Sequence, residues 1–240
     1  MIGKKIESIF RYLTRVRSDE RLLTWLLVAL IFDTLIVYPL VSVVSSVIAI
    51  QIMNSLVISV IFLLCLFALT HRTITRMVLG GIVVIVISVN LVSFIFGVNW
   101  LRGWDILLSL ATVIAFLSFI LRYVYKEGTV TRHRIRAAVA AYLLIAMAFA
   151  FGYHLISFLI PGAINFPSKA PNIDDPRFQH IFSYFSVTTL TTLGYGDIIP
   201  VHPFARTLAM MEALVGQLYP TILLARLVSL YIVHSDRANK

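Results

Sequence analysis

Seven consecutive residues, Thr191-Thr192-Leu193-Gly194-Tyr195-Gly196-Asp197, set two glycines one residue apart between threonine hydroxyls and a carboxylate. Successive backbone carbonyls face one way only when some residues take left-handed or otherwise unusual dihedrals, which Gly194 and Gly196 adopt without a Cβ clash. A row of such oxygens suits the replacement of a cation's water shell, not the breaking of a bond. Two acids, Asp33 and Glu212, lie inside long apolar runs, where an ionisable group is costly and a functional suspect by default. Asp33 has no basic residue at matching depth and can bond Asn or Ser on a neighbouring helix. Glu212 can hydrogen-bond the short apolar segment that precedes Thr192. A hydrogen-bonding role outranks a titrating gate for both. His154 and His180 stand alone in their segments, and no two histidines inside apolar runs have the spacing of a metal or haem ligand pair.

The elements that must position these residues belong to a membrane protein. Of 240 residues, 60% are hydrophobic and only 13% charged, and mean hydropathy is +0.94. Soluble chains carry roughly 25% charged residues, so a soluble enzyme and a disordered regulator are excluded. Cys65 is the only cysteine, which excludes a disulfide scaffold. Six apolar runs, near 24–46, 52–69, 77–96, 105–121, 137–160 and 205–232, approach the roughly 20 residues a helix needs to cross a bilayer. They are continuous and do not alternate with period two, which argues for helices over a β-barrel. The fold class expected is an all-α membrane protein.

The net charge of +9 does not point to nucleic acid, because the basic residues sit between the apolar runs. They accumulate before the first run and in alternate connections, and by the positive-inside rule both termini are cytoplasmic. A multi-pass protein of the plasma membrane, or of the inner membrane of a bacterium, is expected. No cleavable signal peptide is expected before Thr24. Residues 1–23 form a basic segment in which Ile2, Ile6, Ile9, Phe10, Leu13 and Val16 recur at helical spacing, as in a helix lying in the inner interface or a solvated tail. Residues 24–130 make a four-helix transmembrane domain. Residues 131–240 hold the rest: an outer helix 137–160, a short helix 176–191 capped by Asp174 or Asp175 ahead of Pro176, the glycine-bearing stretch, and an inner helix 205–232. The short helix cannot cross the membrane and is read as re-entrant, so the stretch after it must face a cavity or pore.

Here the sequence resembles a known family. Thr192 to Gly196 is similar to the selectivity filter of potassium channels, with Leu193 where valine is commonest. Gly216-Gln217-Leu218-Tyr219-Pro220 and Leu224-Ala225-Arg226-Leu227-Val228 resemble the inner helix of prokaryotic channels of that kind. The resemblance covers about Ala137 to His234. It implies that K+ is held at Thr192, Leu193, Gly194 and Tyr195, that Tyr195 packs outward against the pore helix, and that Asp197 lies at the outer mouth. It implies no cofactor, with K+ as the permeating ion. A carbonyl ring needs about four loops, and this chain has one and no internal repeat, so a homotetramer in a lipid bilayer is expected. Gly216 and Pro220 are hinge candidates, although a glycine there serves close helix packing equally well. Gln217, Pro220 or Thr221, Leu224 and Val228 would line the inner cavity.

The first four spans stand where voltage-gated relatives carry a sensor. Each charge crossing the field is worth about 2.3 kcal/mol per 100 mV, yet 105–121 contains no Arg or Lys, and Arg102 and Arg122 only flank it. Steep voltage gating is not expected, nor is gating by a ligand-binding domain after Ile232. The alternatives are a weakly selective cation channel, an intramembrane enzyme using Asp33, His154 or Glu212, and a non-conducting accessory subunit. The enzyme lacks a recognisable nucleophile or ligand set.

Overall fold

The computed structural model of the chain describes residues 21–44, 46–69, 73–96, 99–126, 131–166, 175 and 177–238, with side chains of the last helix described to Arg226. The segment 1–20, Asp174, Pro176 and the Val228 side chain lie outside these residues. The described chain is nearly all helix. Helix α1 covers residues 21–43, followed by α2 (Val47–Leu69), α3 (Thr73–Phe96), α4 (Asn99–Tyr125), α5 (Arg132–Leu159), α6 (Arg177–Leu190) and α7 (Pro203–Ala238). Among the described residues, all of these except α6 are long and apolar enough to cross a membrane. In lipid the backbone must satisfy its own polar groups, so continuous apolar runs of this length close into helices.

Where element ends differ from the sequence reading, local chemistry accounts for it. Helix α5 begins five residues before Ala137 because Thr131 caps it, its side chain accepting from Arg134 N. Arg136, in the added turn, donates to Thr24 Oγ1 at 2.8 Å and ties α5 to the start of α1. Helix α7 opens on Pro203, whose missing N–H costs nothing at a first helical position. Helix α4 extends beyond 105–121 at both ends and takes in Arg102, Asp105 and Arg122. Asp105 thereby becomes a third acid within a spanning helix, one that the run beginning at residue 105 had placed at the boundary. In α1, Pro39 offers no N–H and its ring crowds the carbonyl four residues back. The helix widens just before it into the π-helical turn Asp33–Val37.

Among the described residues, two large apolar cores organise the molecule, beside a small cluster of Val37, Val41 and Ile50. The larger joins α1 to α5 through Leu26, Leu30, Phe62, Val83, Phe116, Ile120 and Leu144. Ala137, Ala138, Ala140 and Ala141 are fully buried, and such small residues let neighbouring helix backbones approach closely. The second core wraps α6 between α5 and α7, with Tyr153, Phe178, Phe182, Phe185, Ile198 and Ala205. Its rings meet edge-on, with Phe178 and Phe182 centroids 5.1 Å apart. A two-stranded antiparallel ribbon, β1 (Ile164–Asn165) and β2 (Ile199–Pro200), pairs Ile164 with Pro200 and Asn165 with Ile199. The ribbon clips together the two ends of the loop that carries α6 and the glycine-bearing stretch.

Candidate functional site

The site grows from the C-terminal end of α6. At the helix start, Asp175 Oδ1 accepts from Arg177 N at 2.9 Å, and its other oxygen pairs with the Arg177 guanidinium at 3.0 Å. Arg177 also donates to Val44 O at 2.9 Å, pinning the helix to the end of α1. At the other end, Thr192 N donates to Thr189 O, and both Leu193 N and Gly194 N donate to Thr188 O, at 2.8–3.1 Å. The last carbonyls of α6 thus hold the first amides of the next segment. The carbonyl end of a helix dipole lies at this junction, where a cation gains about 0.3–1 kcal/mol.

Beyond it the backbone alternates in handedness. Thr192, Gly194 and Gly196 have φ of 59°, 49° and 78°, while Leu193 and Tyr195 between them do not have positive φ. Left-handed φ at Gly194 and Gly196 is the conformational freedom for which the two glycines were singled out. Thr192 shares it, a residue type for which left-handed φ is uncommon. Tyr195 stacks on Tyr184 of α6 with centroids 6.5 Å apart and planes 9° apart. Tyr184 Oη donates to Asp197 Oδ2 at 2.8 Å, and Ile198 N donates to Asp197 Oδ1 at 3.0 Å. Both ends of the Leu193–Gly196 stretch are therefore anchored to α6. Every residue from Thr191 to Asp197 is exposed in the single chain.

Helix α7 presents two faces to this segment. Gln217, Pro220, Thr221 and Leu224 are exposed; Gln217 Nε2 reaches Thr192 Oγ1 at 3.4 Å, and Thr221 Oγ1 donates to Gln217 O at 2.7 Å. On the packed face, Glu212, Gly216 and Tyr219 are buried at helical spacing. Tyr219 donates to Ala138 O at 2.8 Å and stacks on Tyr142. Gly216 lies directly against the backbone of Leu190, so a Cβ there would strike the Leu190 carbonyl. The helix runs without a break through Gly216 and Pro220.

Residues 137–232 match the family model described as Ion channel. That part of the chain is similar to an ion-channel domain. A stretch of 35 residues is 54% identical to the inward rectifier potassium channel Kirbac3.1 of Paramagnetospirillum magnetotacticum, covering 15% of this chain and 12% of that protein. No solved structure matches the chain. The matched domain is α5, α6, the exposed segment and α7, while α1 to α4 lie outside it.

Glu212 sits behind the exposed segment and is fully buried. Tyr153 Oη donates to its Oε2 and Ser186 Oγ meets its Oε1, each at 2.5 Å. Ser186 Oγ also lies 2.7 Å from Ala146 O, so one hydroxyl hydrogen faces two acceptors. The carboxyl thereby cross-links α5, α6 and α7. Asp33 lies elsewhere, in a small cavity with Asn54, His180 and Ser183. His154 Nδ1 bonds Gln179 Oε1 at 2.8 Å, and His180 Nε2 bonds Asn54 Oδ1 at 2.5 Å. Of the three candidates for an intramembrane enzyme, Glu212 has partners of its own, while Gln179, which bonds His154, also lines the Asp33 cavity. Sequence reading missed a polar cluster of Gln51, Ser55, Asn90 and Asp105, in which Gln51 and Ser55 both donate to Asn90 Oδ1. Polar side chains recurring within α2, α3 and α4 were the available signal.

Proposed function

We propose that the chain is one subunit of a potassium-selective channel, in which Thr192 to Gly196 of four copies supply the carbonyl rings that replace the water shell of K+. The observation that carries this reading is the left-handed φ at alternate positions 192, 194 and 196, rooted on the C-terminal end of α6. Potassium enters from the name of the relative matched over 35 residues and from the filter-like sequence. Four copies follow from coordination: one chain can approach an ion from one side only, and the exposed Thr191–Asp197 surface suits burial against copies of itself. Asp197 then draws cations to the mouth, and Gln217, Thr221 and Leu224 line the cavity below. The basic connections support an outer position for the filter, with both termini cytoplasmic. Passive conduction needs no cofactor.

Reversal potentials of the reconstituted protein in mixed K+ and Na+ test selectivity. The expected result is a potential that tracks the K+ gradient, and a Gly194→Ala variant that loses this preference, because alanine at φ 49° is strained by about 1–2 kcal/mol per chain. A potential that ignores the K+ gradient would favour a weakly selective cation channel. Voltage dependence is a separate expectation. No basic residue lies between Arg102 and Arg122 in α4, so the conductance–voltage relation should be shallow, and a curve requiring several gating charges per subunit would contradict it.

A further inference from the structure

Between α2, α3, α4 and α5 lies a cavity of about 90 Å3, closed on one side by Gln179 in the first turn of the pore helix α6. Two buried atoms in its wall have no hydrogen-bond partner among the described residues: Asp105 Oδ1, an acceptor, and Gln179 Nε2, a donor. Buried polar atoms are nearly always paired, and a donor and an acceptor facing one cavity are satisfied by water held between them. At ~30 Å3 per water molecule the space holds about three. Asp175, in the connection before α6, is part of the same wall, so the cavity lies toward the filter side of the membrane.

We propose that this cavity binds a proton from the solution on the filter side, with Asp105 as the acceptor and Gln179 as the residue that carries the change to the pore helix. The surroundings choose the atom. Asp105 Oδ2 accepts from Asn90 Nδ2 at 2.9 Å, and that amide cannot turn over, because its oxygen already accepts from Gln51 and Ser55. Oδ1 alone is left to take a proton, delivered by hydronium through the cavity water, which returns to water. The charged and titratable groups that face it are Arg102 one turn back on α4, His154 from α5 and Asp175 before α6. The walls supplied by α2, α3 and α6 are neutral: Gln51, Asn54, Asn90, Ser93 and Gln179.

His154 and Asp175 are already engaged. Asp175 is paired with Arg177, and His154 Nδ1 donates to Gln179 Oε1, a bond that survives protonation of the ring. Proton uptake at Oδ1 turns an acceptor into a donor, and Gln179 Nε2 then faces a donor across the water. Gln179 must re-aim, and its backbone carbonyl holds Ser183 Oγ in the next turn at 3.0 Å. The change is thereby passed along the helix that roots the filter.

The conduction half of this inference rests on the channel reading, so the experiment has a readout independent of current. Infrared difference spectra of the protein in liposomes, recorded across acidification, are expected to show a protonated-carboxyl band that disappears in Asp105→Asn. In planar bilayers, acidifying one side only is expected to change K+ current several-fold, an effect lost in Asp105→Asn and kept in His154→Gln. A band unchanged in Asp105→Asn overturns the proposal. So does a current response that persists in Asp105→Asn or vanishes in His154→Gln alone. The Asp105 band without K+ current in any variant leaves the proton site standing and removes the channel reading instead.

Discussion

Gly216→Ala is expected to remove most K+ flux from the reconstituted protein and to lower its thermal stability. The new methyl carbon would overlap the Leu190 carbonyl, which is backbone and cannot rotate away as a side chain would. That carbonyl also accepts from Tyr142 Oη at 3.3 Å and stands two residues before Thr192. Relief therefore comes from pushing α7 off α6 or displacing the root of the filter-like stretch. Overpacking of this kind costs about 1–3 kcal/mol per chain, and a tetramer would bear it in every subunit. Gly81→Ala in α3 is the control, since nothing lies within 4 Å of a Cβ there, and it should leave flux intact. Pro220→Ala separates packing from bending. If Gly216 serves close contact, the exposed Pro220 can be replaced with little effect; if a hinge spans both residues, the two variants should fail together. Unimpaired flux in Gly216→Ala would remove the packing argument.

At Glu212 the size of the effect should depend on hydrogen-bonding capacity and not on charge. Alanine leaves Tyr153 Oη without its buried partner, while Ser186 Oγ keeps Ala146 O, and an unsatisfied buried group costs about 1–3 kcal/mol. Since ~1.4 kcal/mol is a factor of ten in an equilibrium, Glu212→Ala should reduce the conducting population by about tenfold. Glutamine keeps both contacts, its oxygen accepting from Tyr153 and its amide donating to Ser186, whose own hydrogen then serves Ala146 O. Glu212→Gln should therefore conduct nearly as the parent does, with pH dependence unaltered. Flux of Glu212→Gln as low as that of Glu212→Ala would show that the negative charge itself is required.

Much of the fold was legible because a bilayer imposes a length and a composition on any segment that crosses it. The six apolar runs became helices at the expected places, and errors were confined to ends, where capping by Thr131, the start at Pro203 and the extra turns of α4 operate. One of those end errors concealed Asp105. The glycines of the filter-like stretch were legible because few residue types accept left-handed φ. Thr192 was not, since its φ of 59° is imposed by the amides and carbonyls around it.

The order of residues along the chain was enough to establish a helical membrane protein with a short, non-spanning helix before a glycine-bearing stretch, because hydropathy and glycine's freedom are local properties. Which polar groups meet across helices was decided only by packing. Glu212 joins Ser186 and Tyr153 across gaps of 26 and 59 residues, and His180 meets Asn54 across 126. Such pairs depend on the rotation and depth at which each helix docks, and a sequence leaves those two quantities open until the cores of α1 to α5 and of α6 close around them.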